Sequence, residues 1–586
     1  MQSGVFYLKL AECNPLAFPI VYNHTFNRMK SKISIILFNT LLLSTLCYGQ
    51  TPLSKRIDRV LSGIIKPNEP GFAVGVVKNG QFIYKKGFGL ADLKTNRKNT
   101  AETSFNIASD GKKFTAACIY LLQAQGKLKT SDKISKYFKD LPKYADSISI
   151  DHLIHHQSGL RDYDTLIWLV NFDENTLIDD ENAYQIIASQ HSLNFIPGDQ
   201  FSYSNSGYFL LSLMVKKVSG MDLVQYADKY IFKPLKMNNT TFSRTHQVLG
   251  KANGYVLENK NFVENILHTK TIGQGNVYSK ISDWDKWFAE MKLHSILGDS
   301  VWKNMLKIGK TNDGKSTVYA GGLFVTTNKN KRLIAHGGDL YGYHSSMRYF
   351  PDEDLGIVVF TNNDTISPEN NFGPDDISDK ILGEIYPGND KLEDIAKNNA
   401  ETPYPKKNQD TLSYTGHYKL ENDSTKLFYV SGNSRKLTIL QGWNEINYPI
   451  IPLNDSLYYI DKTIDITFQF KKAIGGKMNR LEIIQNGKTT RAARITTTET
   501  TPFNNSEMSF YNNEINSYYK IIQKNNDFQL VMPNGRLNLV LLQKNKYRVW
   551  EAGTTDITFK YANDKITGFT LNHVRVKNLQ FSKVSN

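Results

Sequence analysis

Cysteine is nearly missing from this chain. Its 586 residues carry three, Cys13, Cys47 and Cys118, too few for a disulfide framework, so stability has to come from an apolar core. Blocks of like charge are missing as well. A formal charge of +15 is spread without any run of five or six like charges, the pattern of an evenly charged soluble surface, and no nucleic-acid partner is expected. Long uninterrupted apolar runs are also absent. Residues 33–46 are apolar, but Ser34, Asn39, Thr40, Ser44 and Thr45 break them, so the stretch falls short of a membrane-crossing helix. His152, His155 and His156 lack the glutamate of the zinc-protease pattern, and neither metal nor cofactor is expected. What is abundant is core material. Hydrophobic residues make up 40% and aromatics 12%, ordinary for a globular protein, and the length suggests about three or four domains.

The amino-terminal region reads as an address. Met29-Lys30-Ser31-Lys32 is a short basic head, the apolar stretch follows, and Cys47-Tyr48-Gly49 places small residues at the −3 and −1 positions of a cleavage site. Residues 29–49 are therefore expected to be a signal peptide cut after Gly49, and residues 1–28 an upstream extension. The mature chain is expected to be exported, periplasmic or secreted, with no integral membrane span. The alternative, lipid anchoring at Cys47, has Leu46 where a small residue is usual. After cleavage Cys118 alone remains, on an apolar helix, as a small buried hydrophobe.

Residues 50–390 read as one domain. Its ends carry strands: a hairpin over 72–92 turning at Lys78-Asn79-Gly80, and strands over 319–326, 344–350 and 355–361. Helical patterns fill the interval, a long buried helix begins near Ser109, and another over 377–385 closes the domain. This order predicts an α+β fold, an antiparallel sheet built from both ends and flanked by helices, with an inserted helical lobe. Residues 391–411 read as a polar linker. From 412 to 586 the texture changes to short alternating strands, with an internal repeat over about 412–496 and 501–586. Thr463-Ile464-Asp465-Ile466-Thr467-Phe468 resembles Thr554-Thr555-Asp556-Ile557-Thr558-Phe559, which predicts two all-β, barrel-like modules or two halves of one barrel.

The chemistry concentrates around Ser109-Asp110-Gly111-Lys112. A serine hydroxyl needs a base, and a lysine three residues on lies one helical turn away on the same face. In a dry pocket near another cation such a lysine loses its proton. Ser-x-x-Lys also occurs at Ser300/Lys303 and Ser517/Lys520. Only Ser109 opens a buried helix, whose amino-terminal N–H groups favour an oxyanion. Tyr203-Ser204-Asn205 opens another apolar helix. Its tyrosine can relay a proton and its asparagine can both donate and accept, although Tyr511/Asn513 and Tyr561/Asn563 share the spacing. His336-Gly337-Gly338-Asp339 precedes the last strands. Its glycines admit a substrate backbone, and the next amide can complete an oxyanion hole.

These three pieces, in this order, resemble the penicillin-recognising serine hydrolases: class C β-lactamases, D-alanyl-D-alanine carboxypeptidases, D-aminopeptidases and related esterases. Residues 150–160, 273–279 and 355–362 agree with the same family, so the likeness spans about 52–390. It implies a β-lactamase/transpeptidase-like fold. It further implies Ser109 as nucleophile, Lys112 as its base and Tyr203 as proton shuttle to the leaving group. Asn205 would hold the acyl-side amide, His336, Gly337 and Gly338 would border the substrate, and the amides of Ser109 and Asp339 would form the oxyanion hole. The third motif departs from the usual Lys-Thr-Gly. His336 removes a permanent cation and Gly337 removes a hydroxyl, changes that esterases and aminopeptidases of the superfamily tolerate. The expected function is acyl-enzyme hydrolysis of a small peptide or ester, including D-amino-acid or cell-wall peptides. The alternatives are a true β-lactamase and a non-catalytic peptidoglycan-binding protein.

Overall fold

The computed structural model describes residues 52–387, apart from 171–176, 329 and 371, and most of 411–584. The signal-peptide cleavage site, Cys13, Cys47 and nearly all of the linker lie outside the described residues. Among the described residues no helix is long and apolar enough to cross a membrane.

Six strands form the central sheet: β1 (Phe72–Lys78), β2 (Gln81–Phe88), β3 (Phe324–Asn328), β4 (Lys331–Leu340), β5 (Tyr343–Phe350) and β6 (Leu355–Thr361). Their order is β3-β4-β5-β6-β1-β2, and each neighbouring pair is antiparallel. The amino-terminal hairpin therefore completes a sheet begun by the carboxy-terminal strands, as the sequence order predicts. β5 and β6 are buried along their whole length, which is why they read as apolar without alternation. Consecutive side chains on β5 point to opposite faces. Tyr349 stacks on Phe288 of α5 (Trp284–Leu293). Arg348 pairs with Asp375 and Asp379 of α7 (Pro374–Ile385). One helix thus covers each face at this point.

The inserted lobe is helical. Its elements include α2 (Lys112–Ala124), α3 (Tyr163–Val170), α4 (Asn205–Ser219) and α6 (Asp299–Met305), with α1 (Leu53–Leu61) preceding the sheet. α2 packs against α4 and α6, with Phe114, Ala116, Ala117, Cys118 and Ile119 all buried. Cys118 is a free, buried thiol.

Two closed eight-stranded barrels follow. The first comprises β7 (Gly416–Leu420), β8 (Leu427–Asn433), β9 (Lys436–Gln441), β10 (Ile446–Pro452), β11 (Leu457–Tyr459), β12 (Ile466–Lys472), β13 (Met478–Gln485) and β14 (Lys488–Ile495). The second comprises β15 (Met508–Asn512), β16 (Ser517–Lys524), β17 (Asp527–Met532), β18 (Gly535–Gln543), β19 (Lys546–Val549), β20 (Thr555–Ala562), β21 (Lys565–His573) and β22 (Val576–Lys583). The described part of the repeated segment, 466–468 and 555–559, falls on β12 and β20, the sixth strand of each barrel. Each copy thus closes its own barrel, and the half-barrel alternative is set aside.

Two segments differ from expectation. The strand expected over 319–326 begins only at Phe324, as β3: Tyr319 makes an isolated bridge to Phe324, and the chain turns at Gly322, with φ +73°. A Cβ at Gly322 would lie 2.5 Å from the Lys113 amide, so this turn is pressed onto the start of α2. Conversely, His336-Gly337-Gly338-Asp339, expected ahead of the last strands, is itself strand. It lies inside β4, with Gly338 opposite Ser345 and Asp339 opposite His344.

Candidate active site

Ser109 lies in a 3-10 turn, Ala108–Gly111, immediately before α2. Ala108 has φ +48°, a left-handed conformation that costs about 1–2 kcal/mol. Its neighbours hold it there: the Ala108 amide donates to Asn106 Oδ1 (2.9 Å), the Ile107 amide to Val277 O (2.8 Å), and Ser345 Oγ to Ile107 O (2.8 Å). The kink lifts the serine toward β4. At Gly338 a Cβ would meet Ile107 O at 2.2 Å and the Ser109 amide at 2.9 Å, so only glycine permits this approach. The β3–β4 ladder ends at Phe324 and Ala335. Beyond it the β4 edge carrying Gly337, Gly338 and Asp339 runs unpaired beside the turn, and Gly337 and Asp339 are exposed.

Lys112 is fully buried and its Nζ has three oxygen neighbours: Ser109 Oγ at 3.0 Å, Asn205 Oδ1 at 2.8 Å and the Gln274 carbonyl at 2.5 Å. Burial, reinforced by the Arg575 cation, drives its pKa well below the ordinary lysine range, against the pull of Asp162 and Asp164. An ammonium here would donate to all three oxygens. A neutral amine has two N–H groups, which satisfy Asn205 and Gln274, and a lone pair left for the Ser109 hydroxyl hydrogen. Gln274 was passed over in the sequence because its contribution is a backbone carbonyl.

Asp110 turns away from Lys112 to the next lysine. It forms a fully buried ion pair with Lys113, which also lies 4.7 Å from the Trp284 ring. Burial pushes the Asp110 carboxyl up and the Lys113 amine down. Adjacent lysines thus occupy separate compartments.

Tyr203 packs its ring 4.8 Å from Lys112 Nζ, and the Ser109 hydroxyl is near enough to its phenol to favour the ionised form. Burial raises its pKa more than Ser109 and Arg575 lower it, so the phenol keeps its proton and serves as a donor. The Asn205 amide donates to Asp162 Oδ2 (2.6 Å) and its side-chain Nδ2 to Asp164 Oδ2 (2.8 Å). The donation to Asp164 orients Asn205 Oδ1 toward Lys112. Asp162 and Asp164, absent from the motif reading, therefore fix Asn205. His336 is buried, with Nε2 at 2.9 Å from Tyr319 Oη and Nδ1 at 2.5 Å from Gly337 O. Burial and the two nearby lysines hold it well below the usual histidine pKa. It is a neutral packing partner with both ring nitrogens engaged, and the backbone of Gly337, Gly338 and Asp339 is what faces the cleft. The other histidines part company. His156 lies under Tyr203 at 4.1 Å, His155 bonds Asp151 O and Lys307 O, and His152 caps a helix with Ser149.

Ser109, Lys112, Tyr203, Asn205 and Gly338 thus converge around one hydroxyl, on a sheet with helices on both faces. The chain belongs to the Beta-lactamase family, whose model matches residues 57–378, and with it to the penicillin-recognising serine hydrolase superfamily. It is similar to a D-aminopeptidase of Brucella anthropi, 27% identical over 297 residues, covering 50% of this chain and 56% of that protein. It is also similar to protein Flp of Staphylococcus aureus, 30% identical over 321 residues, covering 53% of this chain and 63% of Flp. The chain thus matches little more than half the length of these relatives. Among solved structures, the octameric penicillin-binding protein homologue from Pyrococcus abyssi matches with a TM-score of 0.51 at 20% identity, over 83% of this chain and 100% of that one. That likeness extends the shared fold beyond the family domain.

Proposed function

We propose that this protein is an exported hydrolase that cleaves small peptides, amides or esters through an acyl-enzyme on Ser109, with D-amino-acid peptides as its substrate class. The observation that carries the reading is the buried Lys112 amine 3.0 Å from the Ser109 hydroxyl, with its other two acceptors already filled. Lys112 takes the hydroxyl proton as Oγ attacks the acyl carbon. The amides of Ser109 and Asp339 receive the oxyanion. Tyr203 gives its proton to the leaving amine or alcohol and regains one from the Lys112 ammonium. Water then repeats the cycle on the acyl-enzyme and releases the acid. Asn205 and the open β4 edge hold the acyl chain. The substrate class is supported by the likeness to a D-aminopeptidase. Export rests on the basic head, apolar stretch and small residues before Gln50.

Ser109→Ala is expected to abolish p-nitrophenyl acetate hydrolysis and fluorophosphonate labelling, whereas full turnover in that variant would end this reading. The sign of the pH dependence follows from Lys112. Only its neutral form accepts a proton, so kcat/KM rises with pH through the Lys112 pKa, and that depressed pKa puts the acidic limb well below the lysine range. A rate that climbs only near pH 10 would contradict a buried amine base.

A further inference from the structure

The second barrel reaches the reacting groups. Arg575 sits in the turn between β21 and β22, and its backbone is pinned to the helical lobe. Its carbonyl accepts from the Asp162 amide (3.1 Å) and from Asn194 Nδ2 (3.0 Å), and the Lys577 amide donates to Asn194 Oδ1 (2.7 Å). The buried Arg161 guanidinium donates to Lys577 O (3.0 Å) and Asn578 O (3.1 Å) beside it. The Arg575 side chain projects over the site, with its guanidinium carbon 5.1 Å from the centre of the Tyr203 ring. The Asp162 and Asp164 carboxylates of the lobe are otherwise engaged: Asp162 bonds Asn205 and Thr165, and Asp164 bonds Asn205. Arg575 is half-buried, and among the described residues no carboxylate lies within ion-pair distance of its guanidinium.

A half-buried guanidinium without a counter-ion, held in place by its own backbone, is a fork for a planar anion. The third motif supplies no charge, because His336 is neutral and already bonded. We propose that Arg575 of the second barrel binds the substrate's carboxylate, which makes it a specificity-determining residue and selects peptides with a free carboxyl terminus. This rests on Ser109, Lys112 and Tyr203 being the reacting centre.

The test uses the full chain and p-nitrophenyl acetate turnover as reporter, with D-alanyl-D-alanine and its carboxy-terminal amide as competitors. In the wild type the free acid is expected to inhibit at least tenfold more tightly than the amide. Arg575→Ala should bring the two constants within threefold of each other, and Arg575→Lys should fall between. Arg575→Gln, which keeps most of the side-chain volume, repeats the measurement if the alanine variant folds poorly. Equal inhibition by acid and amide in the wild type would overturn the proposal, as would an acid preference that survives Arg575→Ala. A variant that only moves the acidic limb of the pH profile to higher pH, with the acid-to-amide ratio intact, would assign Arg575 to Lys112 instead. Absence of reporter turnover in the wild type would defeat the underlying hydrolase reading, a different failure.

Discussion

The two barrels share strand count, strand order and a repeated sixth strand, yet join the rest of the molecule to very different extents. The first encloses a core of its own, built from Tyr414, Tyr418, Val430, Ile439, Phe468 and Phe470, and meets the larger core through Leu427 and Ile495. The core of the second, including Phe510, Tyr519, Phe569 and Phe581, is continuous with that of the family domain. Polar contacts repeat the contrast. Arg161 of the lobe is fully buried against Glu514 of the second barrel at 2.6 Å, with further bonds to Gln190 and Ser192. Glu514 in turn accepts from the His191 amide and, through its carbonyl, from Ser189. In the first barrel the charged pairs, such as Arg491–Glu482 and Arg480–Glu421, stay within the barrel with exposed arginines. One β fold thus keeps a core largely its own in one copy and shares the family domain's core in the other.

The largest test of this contrast is excision. Removing residues 497–586 strips the second barrel from a shared core and takes Arg575 with it, and ester turnover is expected to fall more than a hundredfold with loss of solubility. Removing residues 412–496 instead should leave turnover within about threefold. Similar losses from both deletions would erase the distinction. Next in size are single ion pairs. Arg161→Ala leaves Glu514 buried without its partner, a change worth about 3–5 kcal/mol, read as a lower midpoint in urea. Arg491→Ala in the first barrel should cost at most about 0.5 kcal/mol. Smallest is Tyr519→Phe, which removes the 2.7 Å bond to Leu169 O at the joint and should cost about 0.5–1.5 kcal/mol.

How much of this was legible in the sequence depended on distance along the chain. Ser109 and Lys112 are one turn apart, so helical geometry alone brings them together. β6 was readable because burial of both faces leaves an apolar run whose ends match the strand. β4 was not: its side chains are partly exposed, its glycines adjacent, and its strand state depends on β5. The turn at Gly322 was hidden because contact with Lys112 and Lys113 dictates it. Arg575, Arg161 and Asp162 carry no local pattern at all. Their roles arise where a barrel docks on a lobe, and only the folded chain brings them together.

That docking has a consequence for synthesis. Arg161 and Asn578, which meet at the joint, are 417 positions apart. At about 5–20 residues per second a ribosome needs roughly 20–80 s to cover that stretch. Throughout that interval the nascent polypeptide carries its serine and lysine but no finished cleft wall, so translation delivers the reactive hydroxyl first and the residue that would choose its substrates last.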